Sequence, residues 1–230
     1  PKTGVRHITK APVAASKFVR TKAARNACLN AGAGILHTRW ATQGSPTVND
    51  NNHPIPRGKI VLTHNGHISN DDALFKQLKV ARHAQVDSEA AAALIAFANG
   101  QPITELLPLL RGTAALAWLE QDAPNILNLA RVSSSPLWIG QTKRGDTVYG
   151  STEETVDNAA IIINSPLDWK YAAAEGEYFK IKDGKVVEYE SFKPAPKYNH
   201  WRSYYTDAEL KQFDNEDYAE YSSYYDNHLF

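Results

Sequence analysis

The stretch HTRWATQGSPTVNDNNHPIPRGKIVLTHNGHISN, residues 37–70, contains three polar clusters. It places an Arg-Trp pair, a His-Pro step and a His-Asn-Gly step around one short apolar run at 60–62. A short apolar run bounded by turn residues is typical of a buried strand. The run at 60–62 therefore predicts one strand, and AGAGILHTRWAT at 31–42 predicts another. Both strands end in polar residues, which indicates a functional site as well as a fold.

The composition is that of an ordinary globular protein. The chain has 230 residues, of which 43% are hydrophobic and 22% charged, so it is long enough for one sizeable core. No window approaches the roughly 18 apolar residues of a membrane span, and no apolar signal segment opens the chain. The single cysteine, Cys28, excludes an internal disulfide and favours a reducing, cytoplasmic location.

The two ends of the chain differ in charge. Asp50 is the first acidic residue, so every charged residue before it is basic. These basic residues are spread among Ala, Thr and Val, which favours a solvated face over a nucleic-acid interface. The last 35 residues are acidic and hold seven of the eleven tyrosines with few aliphatic residues. We therefore expect one domain over 1–195 and a tail over 196–230. The tail either docks on the domain or a protein partner, or makes an oligomer or assembly contact.

Helical and strand patterns occur in blocks and do not alternate strictly, which favours an α+β fold with antiparallel sheets. Lys182-Asp183-Gly184-Lys185 is a strong hairpin signal. The patterns predict helices over 13–28, 71–79, 87–100 and 102–110, a strand end leading into a helix over 149–160, and strands over 113–120, 125–132, 136–141, 160–164 and 177–190.

Four residues of the first half of the chain carry groups that could bind an α-amino acid and an amide carbon. Arg39 is a natural bidentate partner for a carboxylate, and Asp87 can accept hydrogen bonds from an ammonium group. Asn65 can donate its side-chain amide, and Gly66 its backbone N–H, to an oxyanion formed at an amide carbon. Each residue alone has an ordinary structural interpretation as a surface arginine, a turn or a helix cap. Their combination predicts a site that binds the two ends of an α-amino acid and stabilises an oxyanion at an amide carbon.

HTRWATQG, followed by NNHP and THNGHISN, resembles the glutaminase domain of class II glutamine amidotransferases, which are N-terminal-nucleophile hydrolases. The resemblance continues through VDSEA at 86–90, LRG at 110–112, ARVSSSPLWIG at 130–140 and YGSTEET at 149–155. It implies a four-layer αββα sandwich with two antiparallel sheets between helices. It also implies the hydrolysis of the glutamine side-chain amide to glutamate and ammonia.

The resemblance assigns three kinds of role to residues of this sequence. Arg39 would bind the α-carboxylate of glutamine and Asp87 its α-amino group, while Asn65 and Gly66 would form the oxyanion hole. The implied substrate-binding residues are Arg39, Trp40, Thr42, His64 and Asp87, with Trp40 also serving as a packing anchor. His37, His53 and His64 would hold the loops near the site by hydrogen bonds.

The nucleophile is where this sequence departs from the family pattern. The family attacks with a cysteine at the very N-terminus, but position 1 is Pro1, which has no thiol. Cys28 falls in a helical pattern and is expected to be a buried structural cysteine. We therefore expect the nucleophile on an N-terminal segment outside this chain.

Two functional hypotheses follow, and they belong to different classes. The first is an amidotransferase domain that releases ammonia for an acceptor on a partner, or acts as a glutaminase alone. The second is a catalytically inactive amidotransferase fold used as a structural or assembly module. Another amidase of the same fold is disfavoured by Arg39 and Asp87, which suit a free amino acid. No cofactor or metal is expected, since the sequence contains neither an HExxH nor a CxxC spacing.

Overall fold

Two antiparallel sheets form the centre of the protein. The computed structural model describes residues 7–29, 31–40, 43–98 and 100–195. The larger sheet has the order β1-β2-β3-β4-β8-β9. Its strands are β1 (Ile55–Arg57), β2 (Ile60–Ile68), β3 (Gly112–Glu120), β4 (Ala123–Ser133), β8 (Glu177–Lys182) and β9 (Lys185–Ser191). The smaller sheet has the order β6-β5-β7 and is built from β5 (Trp138–Thr142), β6 (Thr147–Gly150) and β7 (Leu167–Ala172).

The described part of the chain forms six α-helices, of which those at 88–96 and 153–162 pack on the larger and the smaller sheet, respectively. They are α1 (Ala15–Phe18), α2 (Lys22–Cys28), α3 (Asp71–Leu78), α4 (Ser88–Ala96), α5 (Ile103–Leu106) and α6 (Glu153–Ile162), and short 3-10 helices cover Asn49–Asn51 and Leu107–Leu109. Helix α4 is buried on every side, with four consecutive alanines at 90–93 that are completely inaccessible. Small side chains let this helix lie close to β2, so it is a core helix rather than an amphipathic one.

Alternation along β3 shows how the larger sheet separates two cores. Leu116 and Trp118 face the helices of the first core, whereas Ala115 and Ala117 face a second core shared with the smaller sheet. On the far side of the smaller sheet, Val156 of α6 is completely buried. The layers are therefore helix, sheet, sheet and helix, which confirms the predicted α+β fold with two antiparallel sheets.

The predicted hairpin at 182–185 joins β8 to β9, with Lys182 opposite Lys185. Its two central residues, Asp183 and Gly184, have φ values of 50° and 73°. Left-handed values at both positions are those of the turn type that matches the twist of two-stranded hairpins. The turn residues alone were sufficient to predict this connection.

Three expectations about local structure were wrong. Residues 31–40 form no strand, because they make no ladder with another described segment, and a strand requires such a partner. The predicted helix over 13–28 is instead two short helices, α1 and α2. The isoleucine run at 160–164 continues α6, and Ile163 N–H donates to Ala159 O at 3.0 Å. Hydrogen bonding that continues a formed helix outweighs the strand preference of β-branched residues.

The tail predicted at 196–230 lies outside the described residues, as does Thr42. In the part of the chain that is described, no helix is both long and apolar enough to cross a bilayer.

Candidate active site

The end of strand β2 is joined to the start of helix α4 by the carboxylate of Asp87. The Ile68 N–H donates to Asp87 Oδ2 at 2.6 Å, and the Asp87 side chain is only 6% exposed. Asp87 stands at the N-cap of α4, where we expected it to cap the helix, but it makes no side-chain capping bond there. One oxygen of the Asp87 carboxylate therefore binds the end of the strand that carries Asn65 and Gly66.

Two histidines of β2 lie beside this carboxylate. His64 is buried, and its Nδ1 lies 3.0 Å from Ser88 Oγ and its Nε2 3.2 Å from Thr113 O. Burial lowers the pKa of His64, although the negative charge of Asp87 opposes that effect. His64 thus holds β2 against α4 and β3. His67 is exposed, and its Nδ1 lies 3.5 Å from Asp87 Oδ2.

Gly66 occupies a position that no other residue fits. Its φ is +133°, and a Cβ placed there would lie 2.0 Å from Thr113 O on the neighbouring strand. Strands β2 and β3 therefore approach closely at the Asn65-Gly66 step, where Asn65 is opposite Ala115 and Gly66 opposite Ala114.

Arg39 organises the loop that follows it. Its Nη2 donates to Gly44 O at 3.0 Å and to Gln43 O, and its Nη1 donates to Asn52 Oδ1 at 3.4 Å. These bonds use three of the five guanidinium N–H donors, which leaves two for a ligand. The Gln43 side chain in turn donates to Asp71 Oδ2 at 3.2 Å. Arg39 is thus partly occupied with its own loop.

His37 and His53 contact each other rather than hydrogen-bonding the loops as we expected. Their ring centroids are 4.1 Å apart in an edge-to-face arrangement, and both nitrogens of His53 are buried without a hydrogen-bond partner among the described residues. Burial is the main cause that lowers the pKa of His37 to about 4, and burial also holds the pKa of His53 well below its usual value. Both rings are therefore neutral at pH 7.

A cavity of about 2570 Å³ brings several of the predicted site residues together. Arg39, Asn65, His37 and His53 line it, whereas Asp87 is not among the lining residues. Asp87 lies instead beyond the Asn65-Gly66 step, at Ile68. The structure thus joins Asp87 to the strand of Asn65 and Gly66, and brings Arg39 and Asn65, but not Gly66, to one cavity.

Two residues differ from what we expected of them. Trp40 is 91% exposed, so it is not a packing anchor within the described part of the chain. Cys28, predicted to be buried, is exposed at the end of α2 and also lines the cavity. Both residues belong to the segment before 43, which makes no strand ladder with the other described residues and so leaves them uncovered.

Glu89 is a residue near the site whose role the sequence reasoning missed. It pairs with Arg57 at 2.7 Å in a buried salt bridge and accepts the N–H groups of His83 and Ala84 at 2.6–3.0 Å. Arg57 also donates to Ala81 O. The pair fixes the loop that leads into Asp87. The sequence signal for this pair was a glutamate in an otherwise alanine-rich helix, because a buried charge requires a buried partner.

No group of three or more histidine, cysteine, aspartate or glutamate side chains in the described ranges is arranged to hold a metal ion.

Comparisons with known proteins identify the class to which this fold and site belong. A glutamine amidotransferase domain family matches residues 37–158, which is more than half of the chain. The chain therefore belongs to the glutamine amidotransferase domain family.

Two relatives of this chain are glutamine–fructose-6-phosphate aminotransferases. A glutamine–fructose-6-phosphate aminotransferase of Zymomonas mobilis is 35% identical over 175 residues, covering 67% of this chain and 27% of the relative. The enzyme of the same name from Escherichia coli K12 is 34% identical over 143 residues, covering 58% of this chain and 23% of the relative. The chain thus spans about a quarter of the length of these relatives.

Solved structures agree on the fold. A glutamine phosphoribosylpyrophosphate amidotransferase from Bacillus subtilis has a TM-score of 0.54 at 23% identity, covering 68% of this chain and 34% of that one. A structure described as the allosteric regulatory enzyme of purine biosynthesis also has a TM-score of 0.54, at 22% identity, and covers the same shares. The two-sheet architecture is therefore that of N-terminal-nucleophile amidotransferases.

Proposed function

We propose that this domain binds glutamine and releases ammonia from its side-chain amide for transfer to an acceptor outside the described chain. The observation that carries the proposal is the bond from Ile68 N–H to Asp87 Oδ2, at 2.6 Å. It places a buried carboxylate two residues along β2 from Gly66, a rise of about 7 Å. An extended five-carbon amino acid bridges that distance, with its ammonium at Asp87 and its amide at the Asn65-Gly66 step.

The proposed reaction is covalent catalysis in two steps. A cysteine thiolate attacks the amide carbon, and the resulting oxyanion accepts hydrogen bonds from the Asn65 side chain and the Gly66 N–H. The α-amino group of that cysteine, which has taken the thiol proton, gives it to the amide nitrogen, so that the tetrahedral intermediate releases ammonia and leaves a glutamyl thioester. Water cleaves that thioester, which gives glutamate and returns the thiol. The two remaining donors of Arg39 would bind the α-carboxylate of glutamine.

We propose that the thiolate belongs to a segment outside this chain that occupies the cavity. A volume of about 2570 Å³ is more than twice that of a large small-molecule pocket. Among the described strands, β6 pairs only with β5, and its end at Tyr149 and Gly150 lines the cavity. The unpaired residues 31–39 line the cavity as well. An extended segment between them would satisfy free backbone groups on both sides.

A second candidate, an inactive assembly module, is supported by the three Arg39 donors that the loop uses and by the Cys28 thiol, which stands at the end of a short helix rather than beside Asn65. Under either function, we propose a cytoplasmic location and a docking role for the tail at 196–230. The relatives' names specify fructose-6-phosphate and phosphoribosylpyrophosphate as acceptors. We propose that an acceptor site of this general kind lies on a partner or on another domain.

The decisive experiment restores the nucleophile. The chain is co-expressed with, or fused behind, the N-terminal segment of a relative that begins with cysteine, and glutamate and ammonia are measured with glutamine as substrate. We expect turnover that disappears when the cysteine is replaced by serine. We expect Asn65→Ala to lower kcat by about 100- to 1000-fold, as for the loss of one oxyanion donor.

The matched control is Asn158→Ala, which changes an exposed asparagine of α6 that does not line the cavity and should leave kcat unchanged. A folded complex with the cysteine segment bound but no turnover would refute the enzymatic proposal and favour the assembly module.

A further inference from the structure

His67 stands on the solvent side of the Asp87 carboxylate. Its Nδ1 lies 3.5 Å from Asp87 Oδ2, and its side chain is 59% exposed whereas that of Asp87 is 6% exposed. The inner side of the carboxylate is closed by the Ile68 N–H and by His64, whose Nδ1 lies 3.9 Å away. A ligand that reaches Asp87 from solvent therefore has to pass His67.

His67 also shares a strand with the oxyanion pair. Asn65 and His67 are two residues apart on β2, which is the spacing of side chains on one face of a strand. The His67 backbone is fixed at this point, since its N–H donates to Thr113 Oγ1 at 3.0 Å. The imidazole is thus held beside the proposed substrate rather than free to move away with a flexible loop.

We propose that His67 is a specificity-determining residue that controls access of the substrate's α-ammonium group to Asp87. The neutral imidazole accepts a hydrogen bond from the ammonium through its unprotonated nitrogen, next to the carboxylate. The protonated imidazolium instead pairs with Asp87 and excludes the ammonium. This inference rests on the proposed function, in which Asp87 binds the α-amino group of glutamine.

Two histidines flank the Asp87 carboxylate, one of them buried and the other exposed. The ionisable side chains described in contact with Asp87 are His64 and His67, both on β2. Burial is the main cause that lowers the pKa of His64, whose side chain is only 1% exposed, although the charge of Asp87 opposes that effect. On α4, Glu89 is paired with Arg57 of β1, and β3 contributes only the Thr113 hydroxyl and carbonyl oxygens.

Glutamine binding to the chain carrying its cysteine segment, with that cysteine changed to serine, tests the inference by calorimetry from pH 5 to 8. In the native sequence, we expect affinity to fall toward about tenfold per pH unit once the protonated form predominates. His67→Asn should remove this dependence. His67→Lys carries a permanent cation and should bind at least about tenfold more weakly at pH 8.

Two controls isolate the effect. His83→Asn changes another exposed histidine and should keep the pH dependence of the native sequence. Glutaramate, which has the amide and carboxylate of glutamine but no amino group, should bind with the same affinity in the native sequence and in His67→Asn at every pH.

Two results would overturn the inference. One is a pH dependence of glutamine binding that is unchanged in His67→Asn, which would leave the proposed function intact. The other is the absence of any His67–Asp87 coupling in a double-mutant cycle on the free energy of unfolding at pH 5.5, which requires no ligand. If no variant binds glutamine at any pH, the proposed function fails, and the role of His67 in binding fails with it.

Discussion

Replacing Gly66 with alanine should destabilise the protein far more than a methyl addition at an exposed glycine that has open space around it. The new Cβ would lie 2.0 Å from Thr113 O, so β2 and β3 would have to separate by about 1.4 Å to reach ordinary contact at 3.4 Å. A separation of that size breaks adjacent interstrand hydrogen bonds, each contributing about 1 kcal/mol. The positive φ of 133° adds about 1–3 kcal/mol of backbone strain. We therefore expect a loss of roughly 3–5 kcal/mol in the free energy of unfolding.

Urea denaturation followed by tryptophan fluorescence measures this loss, because Trp118 is buried on β3. The matched control is Gly145→Ala, at a φ of 89° with nothing within 4 Å of the added carbon. That variant carries the backbone strain without the clash and should lose only the strain energy, about 1–3 kcal/mol. A Gly66→Ala protein as stable as Gly145→Ala would refute the close strand approach from which the cost is derived.

Two further predictions concern buried ionisable groups. Glu89→Ala should lower the free energy of unfolding by about 3–5 kcal/mol because it leaves Arg57 charged and buried, while a double change to leucine at both positions should recover most of the loss; equal losses in the single and double variants in urea titrations would contradict this. Stability should be fully developed above pH 6.5 and decline as pH falls toward about 4, because the folded pKa of His37 is lowered to about 4, so that the unfolded chain binds more protons in this window. His37→Asn should flatten that decline, and an unchanged slope in acid denaturation curves would show that the ring is not buried in its neutral form.

Turn residues and the spacing of apolar residues were enough to predict the larger part of the fold from the sequence. The strand through 60–62, helices α3 and α4, and the hairpin at 182–185 all depend on residues within one short window, although β2 runs past the predicted end at Asn65-Gly66 to Ile68. Turn geometry and the period of the apolar residues act over such windows, which is why these elements were correctly predicted. The family resemblance followed from the same windows, since HTRW, HP and HNG keep their order.

The contacts between these groups could not be predicted from the sequence, because they depend on the tertiary structure. Arg57 and Glu89 are 32 residues apart, and Asp87 joins Ile68 rather than capping its own helix. The rings of His37 and His53 contact each other, and residues 31–40 remain without a strand partner. A sequence window records what each group can bond, but the packing of distant elements determines which partner is within reach. The positions of the Asp87 carboxylate and of the cavity were therefore set by α4 and the two sheets, and not by the motif that identifies the family.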